Sequence, residues 1–133
     1  MLRYLATALR RCTSGDVGQA EQRDLLAYMA LVLLDIEQSV VQAAAAWEKR
    51  GYWIKADQFR RQWEWVARGR EGLDKALSAG DLASAVDAVA RLAASVAGTG
   101  VKASPSKTAL WHGAWEHWRN GHDPGSEPRR ERM

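Results

Sequence analysis

Hydrophobic positions recur along most of this chain at the three- and four-residue spacing of α-helices. No window shows the strict alternation of a half-buried β-strand. The pattern predicts five helical segments, bounded by glycine-containing breaks, at residues 2–11, 17–50, 53–79, 81–98 and 105–120. We therefore predict an all-α fold, an antiparallel bundle of four to five helices with one long central helix.

The second segment is the predicted central helix. One apolar seam runs along it in steps of three and four residues, comprising Leu26, Met29, Leu33, Ile36, Val40, Ala43 and Trp47. A helix of this length would extend roughly 50 Å. Three heptads of such a seam can pack within one chain or between two copies of it.

The third segment contains two internal glycines, Gly69 and Gly72. Each lowers helix stability by about 1 kcal/mol relative to alanine. They mark either a bend in the helix or a point where another helix crosses closely, and we favour the bend.

Seven tryptophans fall in two clusters, at residues 47–65 and 111–118. Trp47 and Trp63 lie on apolar seams, which predicts that both belong to the core. The second cluster, Trp111, Trp115 and Trp118, has the spacing i, i+4, i+7 and should clamp the last helix onto the bundle. Trp65 and Trp53 remain as candidates for contact with a partner.

The Trp65 indole is flanked on one helical face by Arg61 and Arg68, with Lys55 and Arg60 nearby in sequence. An exposed ring between guanidinium groups is typical of sites that stack single-stranded nucleic acid. Asp57 and Glu64 lie four residues before Arg61 and Arg68, so helix-internal ion pairs are the alternative explanation. We predict that these five residues contact nucleic acid or another partner.

Residues 1–121 are predicted to form one domain, because 133 residues suffice for a single core. The tail at 122–133 combines prolines, a glycine and alternating charges, and we expect it to be disordered unless a partner holds it. Its cations Arg129, Arg130 and Arg132 are, with Trp53, further predicted partner contacts.

The composition of the chain bears on the compartment in which the protein is found. The single Cys12 excludes an intramolecular disulfide framework and suits a reducing compartment, so we expect a cytoplasmic protein. The longest apolar run, Leu25 to Leu34, is shorter than the roughly 20 residues of a bilayer span. We expect no membrane contact. The net charge of +3 is only mildly basic.

Residues that could carry catalysis or bind a metal are isolated. Asp35 interrupts a mostly apolar stretch without a second carboxylate, histidine or nucleophile beside it. If it is buried, it needs an ion-pair partner; otherwise it is exposed. The histidines His112, His117 and His122 are five residues apart, which points successive side chains about 140° apart. We predict no metal, no cofactor and no enzymatic activity.

The pattern favours a non-enzymatic interaction protein, an adaptor or subunit of a larger assembly that associates with a protein partner or with itself as a homodimer. The alternative is an accessory protein that binds single-stranded RNA or DNA through the Arg/Trp face. A small enzyme using a buried carboxylate is the third hypothesis.

Overall fold

The computed structural model describes residues 2–13, 17–103 and 110–122, and these residues form six α-helices with no strand among them. The helices are α1 (Leu2–Cys12), α2 (Gln19–Lys49), α3 (Trp53–Gln62), α4 (Glu64–Ala79), α5 (Leu82–Thr99) and α6 (Ala114–His122). The all-α prediction is confirmed. Residues 123–133, with Arg129, Arg130 and Arg132, lie outside the described residues.

The core gathers around the first half of α2. Leu25, Leu26, Met29 and Leu33 are fully buried there, and helices α1, α4 and α6 pack against α2. Ile36 is the last residue of α2 in the buried core cluster. The first half of the α2 seam therefore packs against other helices of the same chain. Further along the seam, Val40, Ala43 and Trp47 are only half-buried.

The predicted third helix is wrong in one respect, because it is two helices. The chain breaks at Trp63, which ends α3 and precedes α4 with φ −107° and ψ 14°. The break separates α3, which buries only Ala56, from α4, which buries Val66 and Leu73.

Gly69 lies where another helix approaches closely, and α4 continues unbroken through it. A Cβ built on Gly69 would lie 2.4 Å from Leu92 Cδ2 of α5, far inside van der Waals contact. A Cβ on Gly72 would meet only Ala88 Cβ, at an ordinary 3.6 Å. Of the two alternatives that the sequence left open, the close crossing is present at Gly69.

Helix α6 is held by carboxylates from helices distant in sequence. The buried Trp111 donates its indole N–H to Glu21 at 3.0 Å, and Trp118 donates to Asp74 at 2.8 Å. The backbone N–H groups of Gly113 and Trp115 donate to Asp24, at 3.2 and 2.9 Å. Acceptors at this end of α6 satisfy donors that a helix N-terminus otherwise leaves unpaired.

The tryptophan stripe is thus buried at two of its three positions, as predicted. Trp111 is 1% and Trp118 3% exposed, whereas Trp115 is half-buried beneath the Arg23 guanidinium. The helix itself differs from the prediction, since it begins at Ala114 and Trp111 lies in the preceding turn. Gly113 forms that turn with a φ of +79°, and residues 104–109 lie outside the described residues.

The two α4 glycines should respond oppositely to alanine. We expect Gly69→Ala to lower the free energy of unfolding by about 1–3 kcal/mol, because Leu92 is buried and must shift. Gly72→Ala should raise it by about 0.5–1 kcal/mol through helix propensity. Urea denaturation followed by circular dichroism measures both, and equal shifts of one sign would contradict the close crossing.

Acid should weaken the attachment of Trp111. Hydrogen bonds from Arg11 and then from Trp111 lower the pKa of Glu21. A carboxyl group whose pKa is lower in the folded state stabilises the fold fully above its unfolded pKa, which is about 4.3 for glutamate. This stabilisation is lost as the pH falls through the lower pKa of the folded state. We expect Glu21→Gln, which keeps an acceptor for Trp111, to lose less stability than wild type between neutral pH and about pH 3. Denaturant titrations at both pH values test this, and identical losses would count against it.

Candidate functional site

The turn between α2 and α3 is fixed by backbone hydrogen bonds. Tyr52 N–H donates to the Trp47 carbonyl at 3.0 Å, and Gly51 N–H donates to that of Glu48 at 2.9 Å. This pair is a Schellman motif, in which the residue after the helix adopts left-handed geometry. Gly51 has a φ of +83°, which glycine adopts without strain. The backbone conformation of the turn is therefore fixed, and α3 begins directly after it.

Three consecutive large apolar side chains follow this turn and face solvent. Tyr52 is 52% exposed, Trp53 64% and Ile54 76%. We call residues 49–55 the hairpin tip. The second half of α2 and helix α3 together form a helical hairpin that ends in this tip. The hairpin contributes little to the core, since α2 beyond Ile36 buries one residue, Ala44, and α3 buries one, Ala56. The tip is thus not covered by any other described element.

The cations of the hairpin tip have no carboxylate partner in the described part of the chain. Lys49, Arg50 and Lys55 form no ion pair there, and the tip contains no acidic residue. The Lys55 ammonium lies 5.5 Å from the ring centres of both Trp47 and Tyr52. Cation–π contacts of this kind fix a charge beside the aromatic rings.

A row of aromatic rings supports the hairpin from within. Trp47 stacks on Phe59 with ring centres 6.2 Å apart, Phe59 contacts Trp63 at 6.4 Å, and Trp63 contacts Trp65 at 6.0 Å. The Trp63 indole Nε1 is buried and makes no hydrogen bond in the described structure. These contacts join the hairpin to the beginning of α4.

The Arg/Trp face is divided by the break at Trp63. Arg60 and Arg61 belong to α3, whereas Trp65 and Arg68 belong to α4. The single helix on which the predicted face depends is therefore two helices. Trp65 is half-buried, and it lines one end of a groove of about 520 Å³ between α4 and α5.

Each arginine of that face is neutralised by an acid. Arg60 pairs with Glu48 across the hairpin. Arg61 pairs with Asp57 at 3.1 Å and Arg68 with Glu64 at 2.7 Å, as the spacing of four residues suggested. Of the five residues predicted for this contact, Lys55 alone belongs to the hairpin tip.

The residues considered for catalysis are dispersed. Asp35 is exposed on α2 and so needs no buried partner. His112 and His117 are exposed as well, and the described residues contain no group of three histidine, cysteine or acidic side chains that could hold a metal. Burial raises the pKa of the Cys12 thiol, which disfavours the reactive thiolate.

Helix α5 has a property that the search for apolar runs missed. Its 18 residues, Leu82–Thr99, have a mean hydropathy of 1.2 and are long and apolar enough to cross a membrane. It packs against α4 and α1, and 22% of the segment is buried. One such helix is weak support for a span.

Comparison with known proteins gives no match, whether with protein-family models, with curated proteins or with solved structures.

Sequence reasoning named Trp53 and Lys55 but missed the rest of the hairpin tip. Tyr52, Ile54, Lys49 and Arg50 were not selected. The signal was present in the sequence, since the run Lys-Arg-Gly-Tyr-Trp-Ile-Lys has three cations and three large apolar residues without an acid. A glycine that ends a helix just before it predicts a turn, and turns lie at surfaces.

Trp53 should dominate the solvent-accessible fluorescence of the protein. It is 64% exposed, whereas Trp111 and Trp118 are almost completely buried. We expect Trp53→Phe to lower the acrylamide-quenchable fraction of the emission markedly. Trp118→Phe is the matched control and should raise that fraction by removing a protected fluorophore. Quenching unaffected by Trp53→Phe would show that the tip is covered in solution.

Proposed function

We propose that this chain is a non-enzymatic interaction protein that contacts another macromolecule through the hairpin tip. The observation that carries the proposal is the contiguous exposure of Tyr52, Trp53 and Ile54. Single exposed apolar residues are common, but contiguous apolar patches mark interaction sites. Tryptophan and tyrosine are also the residues most enriched among energetically dominant contacts.

The conformation of the hairpin tip is preorganised by contacts within the chain. The Schellman turn fixes the backbone at Gly51, and the stack of Trp47 on Phe59 joins the two helices of the hairpin. A preorganised surface loses little conformational entropy on binding, so more of the contact energy becomes affinity. In the finer architecture that we propose, an antiparallel bundle surrounds the first half of α2 and the hairpin extends from it.

Self-association is one form that this function can take. The first half of the α2 seam is buried within the chain, which disfavours pairing of two copies through that seam. A homodimer would instead meet through the tip or through the α4–α5 groove. The residues that line the groove include Gly72, Lys75, Ala88 and Arg91.

Nucleic-acid binding through the Arg/Trp face receives less support than the interaction proposal. Stacking sites combine an accessible ring with cations that are available to phosphates. Arg61 and Arg68 already have acidic partners, and Trp65 is half-buried. The exposed position of Asp35 likewise gives no support to an enzyme built on a buried carboxylate.

Site-specific crosslinking in cells that produce the protein tests the proposal. We expect benzoylphenylalanine in place of Trp53 to give a covalent adduct on irradiation, because the ring at this position would lie against the partner. Mass spectrometry of the adduct identifies a protein, a second copy or a lipid.

The control places the same photoreactive residue at Glu71, whose side chain is 69% exposed on α4. An adduct at position 53 that is absent at position 71 supports the tip as the contact surface. Equal labelling at both positions, or none at position 53, would overturn the proposal.

A further inference from the structure

We infer that the partner of the hairpin tip is the surface of a bilayer containing anionic phospholipids, against which the protein docks peripherally. The inference rests on the proposed function and names the chemistry of its partner. Charge, side-chain type and shape at residues 49–55 each contribute an argument.

The distribution of neutralised and unneutralised cations singles out the tip. Behind it, Arg60, Arg61 and Arg68 each pair with a carboxylate. At the tip, Lys49, Arg50 and Lys55 form no ion pair within the described residues. Clustered basic side chains beside an apolar segment are attracted to phosphatidylserine and other anionic headgroups.

The apolar side chains between these cations suit the headgroup region of a bilayer. Tryptophan and tyrosine concentrate at membrane–water interfaces, because each combines an apolar ring with a polar group. Ile54, the most exposed of the three at 76%, would enter the acyl boundary beside Trp53. The Lys55 ammonium, held near the Tyr52 ring, would then lie at headgroup level.

The shape of the hairpin favours a bilayer over a protein partner. Lys49 lies about 20 Å along the α2 axis beyond Ile36, where the buried core cluster ends on this helix. Three apolar residues at the end of a hairpin offer far less than the roughly 800 Å² per partner of a standard protein interface. A bilayer needs no complementary shape, since apolar insertion and charge attraction act residue by residue. The sequence-based expectation of no membrane contact considered spanning segments and not this tip.

Flotation of the full chain with vesicles tests the inference. The vesicles contain phosphatidylcholine alone or phosphatidylcholine with about 30% phosphatidylserine. We expect binding to the anionic vesicles at about 0.05 M salt, strong weakening at about 0.5 M, and little binding to neutral vesicles.

Two combined variants remove the two halves of the tip. Trp53→Ala with Ile54→Ser should weaken binding at least about tenfold. Lys49→Gln, Arg50→Gln and Lys55→Gln together should weaken it roughly a hundredfold at low salt. The matched control, Arg61→Gln, Arg68→Gln and Arg91→Gln, removes the same charge from exposed, ion-paired positions. It should change binding less than about threefold.

Two outcomes would overturn the membrane assignment. One is absence of flotation with anionic vesicles at low salt. The other is equal loss of binding in the control and in the tip variants, which would indicate attraction by net charge alone. A protein adduct at position 53 without vesicle binding would leave the proposed function standing and replace the bilayer with a protein partner. Binding of single-stranded oligonucleotide that depends on the tip cations, again without vesicle binding, would assign the tip to nucleic acid.

Discussion

The attachment of α6 to α2 and α4, through buried indoles and half-buried carboxylates, is the constraint on which the rest of the fold depends. Glu21 and Asp74 accept the N–H groups of Trp111 and Trp118, which stabilises the burial of both indoles. An indole buried without such a partner forfeits a hydrogen bond to water. The carboxylates in turn have guanidinium partners, Arg11 for Glu21 and Arg70 for Asp74. Each contact therefore has a charge partner that compensates its removal from water.

This attachment decides which half of α2 is buried. Glu21 and Asp24 lie in the first turns of α2, so α6 covers that end of the helix together with α1. Phe59 and Arg60 of α3 contact Trp47 and Glu48 in the last turns of α2, and α3 buries only Ala56. The hairpin tip is thus exposed as a consequence of where the core is assembled.

The sequence predicts those features whose causes are local. The spacing of Leu26, Met29, Leu33 and Ile36 predicts the buried face of α2, and the acids four residues before Arg61 and Arg68 predict their ion pairs. It does not predict features whose causes lie far along the chain. The partners Asp24 and Trp115 are 91 positions apart, and the Arg60–Glu48 pair exists only after α3 folds back on α2. Gly69 is ambiguous for the same reason, because the side chain that crosses it belongs to another helix.

The tryptophans also show the difference between features with local causes and features whose causes lie far along the chain. A tryptophan in a helical pattern can be core or contact, and its spacing alone does not distinguish the two. The two are distinguished by how far the fold covers the ring. Trp118 is 3% exposed and has an acceptor and a stacked ring partner, whereas Trp53 is 64% exposed and has neither an acceptor nor a ring partner in the described structure. The exposed indole and the unpaired cations on this turn are the groups that the anionic, partly apolar surface we propose would contact. The exposed aromatic ring and the unpaired cations occur together at the hairpin tip. This coincidence supports our proposal that the tip contacts a partner.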